Sequence, residues 1–268
     1  MMKYYIFYNG GKIYYSDRGR GTAILLLHGY LESSEIWDSF AVKLAEGFRV
    51  ISVDLPGHGE SSVFGPCHTM EFMAEAIREL VTGLNLKKVF LTGHSLGGYV
   101  ALAFAEMFPE FLSGFCLFHS HPFADPPEAI AKREREKEIV RAGKKFLMYP
   151  ENVSMMFSEE NTVKLPEALK RSKEIAAAVP DEGIIAVLDG MIKRPQRLSV
   201  VEEGRVPLLW ILGRKDRYIS CELVLSKVKL PYGSKAEILE DSGHLGFIEE
   251  EDMSLRVLSD FVTGLNGK

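Results

Sequence analysis

Ser95 lies in the pentapeptide Gly93-His94-Ser95-Leu96-Gly97, a pattern typical of a serine that acts as a nucleophile. Residues 89–91 are apolar and strand-like, and residues 96–108 carry apolar side chains at helical spacing. The glycines leave space for a sharp strand-to-helix turn, and the N-terminus of a helix favours negative charge developing on the hydroxyl oxygen. We therefore predict that Ser95 attacks a carbonyl carbon. The alternative is a glycine-rich turn whose serine only caps the helix.

A serine hydroxyl becomes reactive when a base accepts its proton and a carboxylate orients that base. His244 is the only one of the seven histidines beyond residue 200, in a loop between a predicted strand and the closing helix. Asp216 follows the apolar run 208–212, so its carboxylate is expected at the end of a buried strand. We predict that His244 is the base and that Asp216 orients it. Asp241 is the weaker alternative, because its loop position favours a turn-stabilising role.

The negative oxygen of a tetrahedral intermediate needs N–H donors aimed at it. The backbone N–H of Leu96, the residue after the predicted nucleophile, is one candidate. The second is the backbone N–H of Tyr30, in the loop that follows the first apolar strand. Because both donors are backbone groups, the side chains are free to shape the pocket. His28 is interpreted as a structural hydrogen-bonding residue rather than a catalyst.

Two histidines, His119 and His121, follow the apolar run 111–118. Residues two apart on a strand share a face, so these imidazoles with Asp125 could suggest metal ligands. No HExxH motif, cysteine pair or further histidine cluster completes a four-ligand set, so we predict no metal and no other cofactor. We expect His119 or His121 to line the substrate pocket, and a purely structural role stays open.

The composition changes between residues 122 and 200, where we predict a helical cap inserted into a core made of residues 1–121 and 201–268. Residues 128–145 are dominated by charged side chains and are interpreted as a solvated helix face. The insertion also contains apolar, flexible side chains. They form either a lid surface over the pocket or the core of the cap. These residues are Met148, Met155, Met156, Phe157 and Met191, of which Met191 is our candidate for the pocket.

Outside this insertion, strand-like runs alternate with helix-like segments. Strands are predicted at 4–8, 13–16, 23–27, 49–53, 88–91, 111–118, 208–212 and 236–239, and helices at 35–46, 69–84, 96–108, 222–228 and 247–265. The first two strands flank Asn9-Gly10-Gly11, which favours a hairpin turn. Nearly continuous apolar strands are typical of a parallel sheet covered on both faces. The prediction is an α/β fold with a mostly parallel, doubly wound sheet of about eight strands.

Composition restricts the classes of function. The chain has 268 residues, 46% hydrophobic and 26% charged, as in a folded globular protein. A net charge of −5 without a basic block argues against a nucleic-acid partner, and no apolar run approaches the roughly 18 residues of a membrane span. Three separated cysteines and the lack of a signal-peptide pattern favour the cytoplasm. We expect a small-molecule substrate and leave the oligomeric state open.

In its motifs and their order, the chain resembles the α/β-hydrolase superfamily, specifically the cap-bearing branch with esterases, carbon–carbon bond hydrolases and cofactor-free haloperoxidase-like enzymes. The motifs that carry this resemblance are His28-Gly29 and residues 54–61, 93–98, 213–216 and 243–244. Residues 54–61 are similar to a structural loop of that family, so no chemistry is assigned to them. Serine at position 95 departs from the haloalkane dehalogenase and epoxide hydrolase members, for which the resemblance implies aspartate.

The resemblance implies an α/β-hydrolase fold and a serine hydrolase with an esterase-like activity on a small to medium-sized carboxylic ester. A carbon–carbon bond hydrolase or a perhydrolase that uses the same three side chains is the first alternative. A non-catalytic ligand receptor on the same fold is the second, since a fold does not determine a function. The presence of Ser95, Asp216 and His244 weighs against the receptor.

Overall fold

A computed structural model describes residues 3–266, and within that range eight strands form one sheet in the order β1-β2-β4-β3-β5-β6-β7-β8. The strands are β1 Tyr4–Tyr8, β2 Gly11–Gly19, β3 Ala23–Leu27, β4 Arg49–Val53, β5 Val89–His94, β6 Leu112–Phe118, β7 Leu208–Gly213 and β8 Lys235–Leu239. Strands β3 to β8 are mutually parallel, whereas β1 and β2 pair antiparallel with their neighbours. This confirms the predicted mostly parallel sheet.

The N-terminal hairpin follows from its turn sequence. Asn9 and Gly10 both have positive φ, 44° and 80°, as a two-residue hairpin turn requires. Tyr8 therefore pairs with Gly11, and β2 continues into an antiparallel pairing with β4. The predicted antiparallel ribbon is confirmed, and it closes one edge of the sheet.

Helices cover both faces of the sheet. The helices are α1 Asp38–Leu44, α2 Met70–Gly83, α3 Leu96–Met107, α4 Pro127–Arg141, α5 Tyr149–Met156, α6 Glu159–Lys164, α7 Pro166–Ala178, α8 Asp181–Lys193, α9 Leu198–Glu203, α10 Cys221–Lys227, α11 Gly246–Glu249 and α12 Glu251–Asn266. Leu25 belongs to the apolar cluster with α2 and α3, and its neighbour Leu26 to the cluster with α1 and α12. Successive strand residues point to opposite faces, so the parallel strands are clamped between two cores.

Between β6 and β7 the chain forms the helical insertion α4 to α9, in which α4 packs on α8 and α5 on α7. These are more helices than the sequence pattern resolved. Helix α9 runs across the predicted boundary at residue 200, and the division into a core and a cap stays a prediction. None of the helices in residues 3–266 is long and apolar enough to cross a membrane.

Helix α8 anchors the insertion to the loops of the sheet through backbone contacts. A Cβ added at Gly183 would strike the carbonyl oxygen of Gly57, and one at Gly190 would strike that of His68. The N–H of His68 donates to the carbonyl of Ala186 at 2.8 Å. The two glycines thus let the helix approach the loop backbone closely, which holds the insertion over the carboxyl ends of the strands.

Candidate active site

Ser95 lies at the predicted turn between β5 and α3. Its backbone has φ 46° and ψ −107°, a conformation that residues with a side chain rarely adopt. The Ser95 N–H donates to the carbonyl of Phe118 at 3.0 Å, and the Ser120 hydroxyl donates to the Ser95 carbonyl at 2.7 Å. These hydrogen bonds to the backbone of Ser95 hold the strained turn, so the Ser95 hydroxyl is not needed for it.

Close backbone packing at this turn requires two of its glycines. A Cβ added at Gly93 would strike the backbone of Gly97. A Cβ added at Gly97 would lie 2.5 Å from the carbonyl oxygen of Leu27, closer than a side-chain carbon can approach. The sharp turn therefore needs these two glycines, as predicted. Because Gly97 has no side chain, α3 can pack against the end of β3.

The structure brings Asp216 and His244 together. The loop after β7 carries Asp216, and its carboxylate oxygen Oδ2 lies 2.7 Å from Nδ1 of His244. The other oxygen, Oδ1, accepts from the N–H groups of Tyr218 at 2.8 Å and Ile219 at 3.0 Å. Because a carboxylate accepts, Nδ1 of His244 carries a proton and Nε2 is left as the basic nitrogen.

The two side chains shift each other's pKa. Burial opposes ionisation of Asp216, but the His244 and His119 rings hold the pKa of its carboxyl well below the usual range. Burial alone would lower the pKa of His244, and the Asp216 charge outweighs this effect and raises that pKa above its ordinary value of 6.5. The arrangement therefore combines an ionised carboxylate with a histidine that accepts a proton readily.

Asp241, the competing carboxylate, points to solvent. Its side chain is 74% exposed, and its Oδ1 lies 3.0 Å from Nζ of Lys215. The Asp241 carbonyl accepts from the side-chain amide of Asn161 at 3.0 Å. These contacts are those of a turn-stabilising residue, and Asp216 is the carboxylate that contacts His244.

The backbone around Tyr30 is oriented by His28. Nε2 of His28 accepts from the N–H of Leu55 at 3.0 Å, so Nδ1 carries the proton and donates to the carbonyl of Gly29 at 2.8 Å. In a planar trans peptide the next N–H points opposite to this carbonyl, which orients the N–H of Tyr30. Within residues 3–266, the N–H groups of Tyr30 and Leu96 have no protein acceptor.

Several predicted site residues line a cavity of about 460 Å³. Ser95, His244, Tyr30, His121, Met191 and Tyr218 are among the residues that line it. Burial, followed by the charge of Arg194, lowers the pKa of His121 to about 3, so its ring is neutral. The volume is within the range of sites for small molecules.

His119 does not line the cavity, which corrects the expectation for this residue. Its ring is fully buried behind the Asp216–His244 pair, where Nε2 accepts from the N–H of Gly246 at 3.0 Å. Nδ1 therefore carries a proton, and it faces Oδ2 of Asp216 at 3.5 Å. Burial lowers the pKa of His119 to about 4, so its ring is neutral. His119 is thus the second imidazole, after His244, that lies beside the Asp216 carboxylate. Its position at a strand end was visible in the sequence, but its direction was not.

Charged residues of the insertion also line the cavity, and the sequence pattern did not assign them to it. Nε of Arg133 lies 2.7 Å from Oδ2 of Asp125, and Arg194 reaches Oδ1 of the same carboxylate at 2.8 Å. Oε1 of Glu136 accepts from the side-chain amide of Asn152 at 3.1 Å. Asp125, Arg133 and Glu136 all face the cavity.

This arrangement corrects the interpretation of residues 128–145 as a solvated face. Helix α4 turns Arg133 and Glu136 inwards, and Val140 on the same side is buried. The positions 129, 133, 136 and 140 recur at intervals of four, three and four residues, as on one face of a helix. That spacing was the available signal, and the high charge of the segment obscured it.

The side chains that could hold a metal ion among the described residues are His119, Asp216 and His244, whose ligand atoms lie within 4.8 Å of one another. This is not the set of His119, His121 and Asp125 considered from the sequence. The proton on Nδ1 of His244 is directed at Oδ2 of Asp216 at 2.7 Å, and the protonated Nδ1 of His119 faces the same oxygen at 3.5 Å. Ligation needs a deprotonated nitrogen, so this hydrogen-bonding pattern favours a carboxylate shared by two imidazoles.

Comparison with known proteins gives consistent matches over most of the chain. A family model described as alpha/beta hydrolase fold matches residues 22–251. The pimeloyl-[acyl-carrier protein] methyl ester esterase of Methylococcus capsulatus is 27% identical over 261 residues, which cover 93% of this chain and 98% of that protein. The 2-hydroxy-6-oxononadienedioate/2-hydroxy-6-oxononatrienedioate hydrolase 1 of Pseudomonas putida is 27% identical over 267 residues, which cover 94% of this chain and 92% of that protein.

Among solved structures, a thermophilic esterase from Thermogutta terrifontis, with malate bound, superposes with a TM-score of 0.94. It is 28% identical in sequence, and the match covers 99% of both chains. The similarity therefore extends over the sheet, its covering helices and the helical insertion.

Proposed function

The chain belongs to the alpha/beta hydrolase fold family, and we propose that it is a serine hydrolase that cleaves a small to medium-sized carboxylic ester. One observation carries this proposal. Ser95, on a strained turn, lines the same cavity as His244, and His244 is hydrogen-bonded to Asp216 at 2.7 Å. These are the nucleophile, base and orienting carboxylate that acyl transfer from an ester to water requires.

In the proposed reaction, Oγ of Ser95 forms a bond to the ester carbonyl carbon while its proton passes to Nε2 of His244. The carbon–oxygen bond to the alcohol then breaks, and the same proton moves from Nε2 to the leaving oxygen. Water attacks the acyl-enzyme with His244 again accepting a proton, and the carboxylic acid leaves as Ser95 regains its hydrogen. Asp216 keeps the imidazole oriented and stabilises its charged form without itself taking the proton.

The N–H groups of Tyr30 and Leu96 are proposed to bind the negative oxygen of both tetrahedral intermediates. Both lack a protein acceptor in residues 3–266, and Leu96 is the first residue of α3, where the helix dipole adds to the donor strength. Removing one donor of this kind typically costs about 10²- to 10³-fold in kcat. Backbone donors cannot be deleted by side-chain substitution, so their orientation is tested below through a residue that holds the loop.

The esterase assignment is favoured over carbon–carbon bond cleavage because two of the compared proteins are esterases, from Methylococcus capsulatus and Thermogutta terrifontis. The relative from Pseudomonas putida is named as a 2-hydroxy-6-oxononadienedioate/2-hydroxy-6-oxononatrienedioate hydrolase and not as an esterase. Carbon–carbon bond cleavage is therefore measured beside ester hydrolysis. Both reactions would use the same three side chains. The choice between them depends on what the 460 Å³ cavity admits.

We expect kcat/KM to peak on esters with short to medium acyl chains. The cavity of about 460 Å³ is roofed by helices of the insertion, which excludes water and limits the length of the substrate. The measurement is kcat/KM on chromogenic esters of increasing acyl length. A carbon–carbon hydrolase substrate, a long-chain triglyceride and a folded protein are assayed in parallel.

Two results would contradict this proposal. A value of kcat/KM that keeps rising into long-chain triglycerides, or efficient proteolysis, is incompatible with a roofed cavity of this size. Faster turnover of the carbon–carbon hydrolase substrate than of every ester would replace the esterase assignment with the alternative.

The pH dependence of kcat/KM is expected to report the raised pKa of His244. Protonated His244 cannot accept the proton of Ser95, so activity should fall as the pH decreases through an inflection above 6.5. Asp216→Asn removes the charge that raises this pKa, so the residual activity of the variant should have its inflection at a lower pH. Asp241→Asn is the matched control and should leave the inflection in place. A wild-type inflection below 6.5 would contradict the raised pKa of His244.

A further inference from the structure

Glu32 is a buried acidic residue in the same loop as Tyr30. It is 3% exposed, and its Oε2 accepts from the backbone N–H of Gly29 at 2.5 Å. The other oxygen, Oε1, is buried without a hydrogen-bond partner among the described residues. Burying a carboxylate is costly unless it is hydrogen-bonded, so the contacts of Oε2 are what hold Glu32 in place.

Those contacts include His94, the residue before Ser95. Nδ1 of His94 lies 3.0 Å from Oε2 of Glu32, and its Nε2 lies 2.8 Å from the carbonyl oxygen of His244. A carbonyl only accepts, so Nε2 carries a proton. Burial opposes ionisation of Glu32, but His94 and the Gly29 N–H lower the pKa of its carboxyl. The His94 ring therefore hydrogen-bonds Glu32 on one side and the His244 backbone on the other.

The backbone of Gly29 is held from both sides. Its N–H is bound by Glu32, while its carbonyl is bound by His28. A Cβ added at Gly29 would lie 2.7 Å from Nδ1 of His94 and 2.9 Å from Oε2 of Glu32. The side chains of Glu32 and His94 therefore pack directly on the peptide that precedes the Tyr30 N–H.

We propose that Glu32 and His94 are a positioning pair, a buried hydrogen bond that fixes the Tyr30 loop, the Ser95 turn and the His244 backbone relative to one another. One carboxylate oxygen connects the first two, and the opposite side of the imidazole ring connects the third. The inference rests on the proposed function, because it concerns how the three reacting parts of that site are held in register. The pair touches no reacting atom.

The first test is independent of activity. Nitrogen-15 NMR of protein labelled at histidine should show Nε2 of His94 in the range of protonated nitrogens, because the His244 carbonyl can only accept. His94→Phe, which keeps an aromatic ring against Phe247 and Trp37, assigns the signals by their loss. In Glu32→Gln an amide oxygen in the place of Oε2 can accept from the Gly29 N–H and from Nδ1 of His94, so the signal of Nε2 should stay in the protonated range.

The second test separates positioning from folding. Glu32→Leu removes the acceptor of the Gly29 N–H, and a displacement of the Tyr30 loop by about 1 Å is expected to lower kcat about 10²-fold with little change in KM. Glu32→Gln keeps the hydrogen bonds without the charge, and its kcat should stay within about tenfold of wild type. The melting temperature of each variant is measured alongside, and the Gln variant is the conservative control.

The outcomes decide the proposal in either direction. An unprotonated Nε2 of His94 in the wild type, or a Glu32→Leu variant that keeps the wild-type kcat, would overturn it. Equal losses of kcat in Glu32→Leu and Glu32→Gln would also overturn it, because the Gln variant retains the positioning contacts. A wild-type chain that hydrolyses no ester would instead refute the proposed function, and the NMR spectra would still decide the hydrogen bond between His94 and the His244 carbonyl.

Discussion

Ser95→Ala is expected to lower kcat on the best ester substrate by about 10⁶-fold, since the side chains of such a triad act as a unit. The hydroxyl supplies the atom that forms the acyl bond, and neither His244 nor Asp216 can replace it. In the wild type, a fluorophosphonate probe should label one site, and mass spectrometry should locate the adduct on Ser95. The variant should not be labelled.

The fold should survive this substitution, which makes the loss of activity interpretable. The hydrogen bonds that hold the turn use the backbone of Ser95, at 3.0 Å to Phe118 and 2.7 Å from Ser120. The melting temperature of Ser95→Ala should therefore match that of the wild type. Ser226→Ala, at an exposed serine of α10, is the control for labelling and should change neither rate nor adduct. Substantial esterase activity in Ser95→Ala would refute the serine mechanism.

Asp216→Asn is expected to lower kcat by about 10⁴-fold, as for an orienting carboxylate of a comparable triad. The amide can still occupy the space between His244 and the N–H groups of Tyr218 and Ile219. It cannot stabilise the charged imidazole, and its NH₂ group can favour the tautomer that places the proton on Nε2, where the Ser95 proton has to go. KM should change little, because the carboxylate does not line the cavity.

Asp241→Asn is the matched control for this prediction. It makes the same chemical change in a carboxylate whose side chain is 74% exposed and whose partner is Lys215. A surface ion pair of this kind is screened by water and contributes little to stability, so both kcat and the melting temperature should stay close to wild type. If Asp241→Asn lost more activity than Asp216→Asn, the carboxylate would be assigned wrongly.

The sequence by itself determined the elements that depend on local patterns. Strands β3, Ala23–Leu27, and β4, Arg49–Val53, have the bounds predicted from their continuous apolar runs. Helix α3 ends at Met107, one residue before its predicted limit, because Pro109 cannot continue the helix. The turn at Ser95 was equally visible, since the glycines, the strand and the helix that define it are neighbours in the chain.

The chain order of the three candidate catalytic residues also followed from these local patterns, because strand ends at one edge of a parallel sheet converge. Ser95 follows β5, Asp216 follows β7, and His244 lies in the loop after β8. The sequence placed all three near that edge. Their roles as nucleophile, orienting acid and base stay predictions until the variants above are measured.

Only the tertiary structure decided which side chains meet. His119 lies behind Asp216 and not in the cavity, while Arg133 of the charged helix α4 turns towards it. Glu32 and His94 are separated by 62 residues, yet they share one hydrogen bond. Such contacts depend on the angles at which helices and loops pack on the sheet, and these angles come from many apolar contacts distributed along the chain. A local pattern contains the period of a helix or a strand, but not the direction in which its polar side chains finally point.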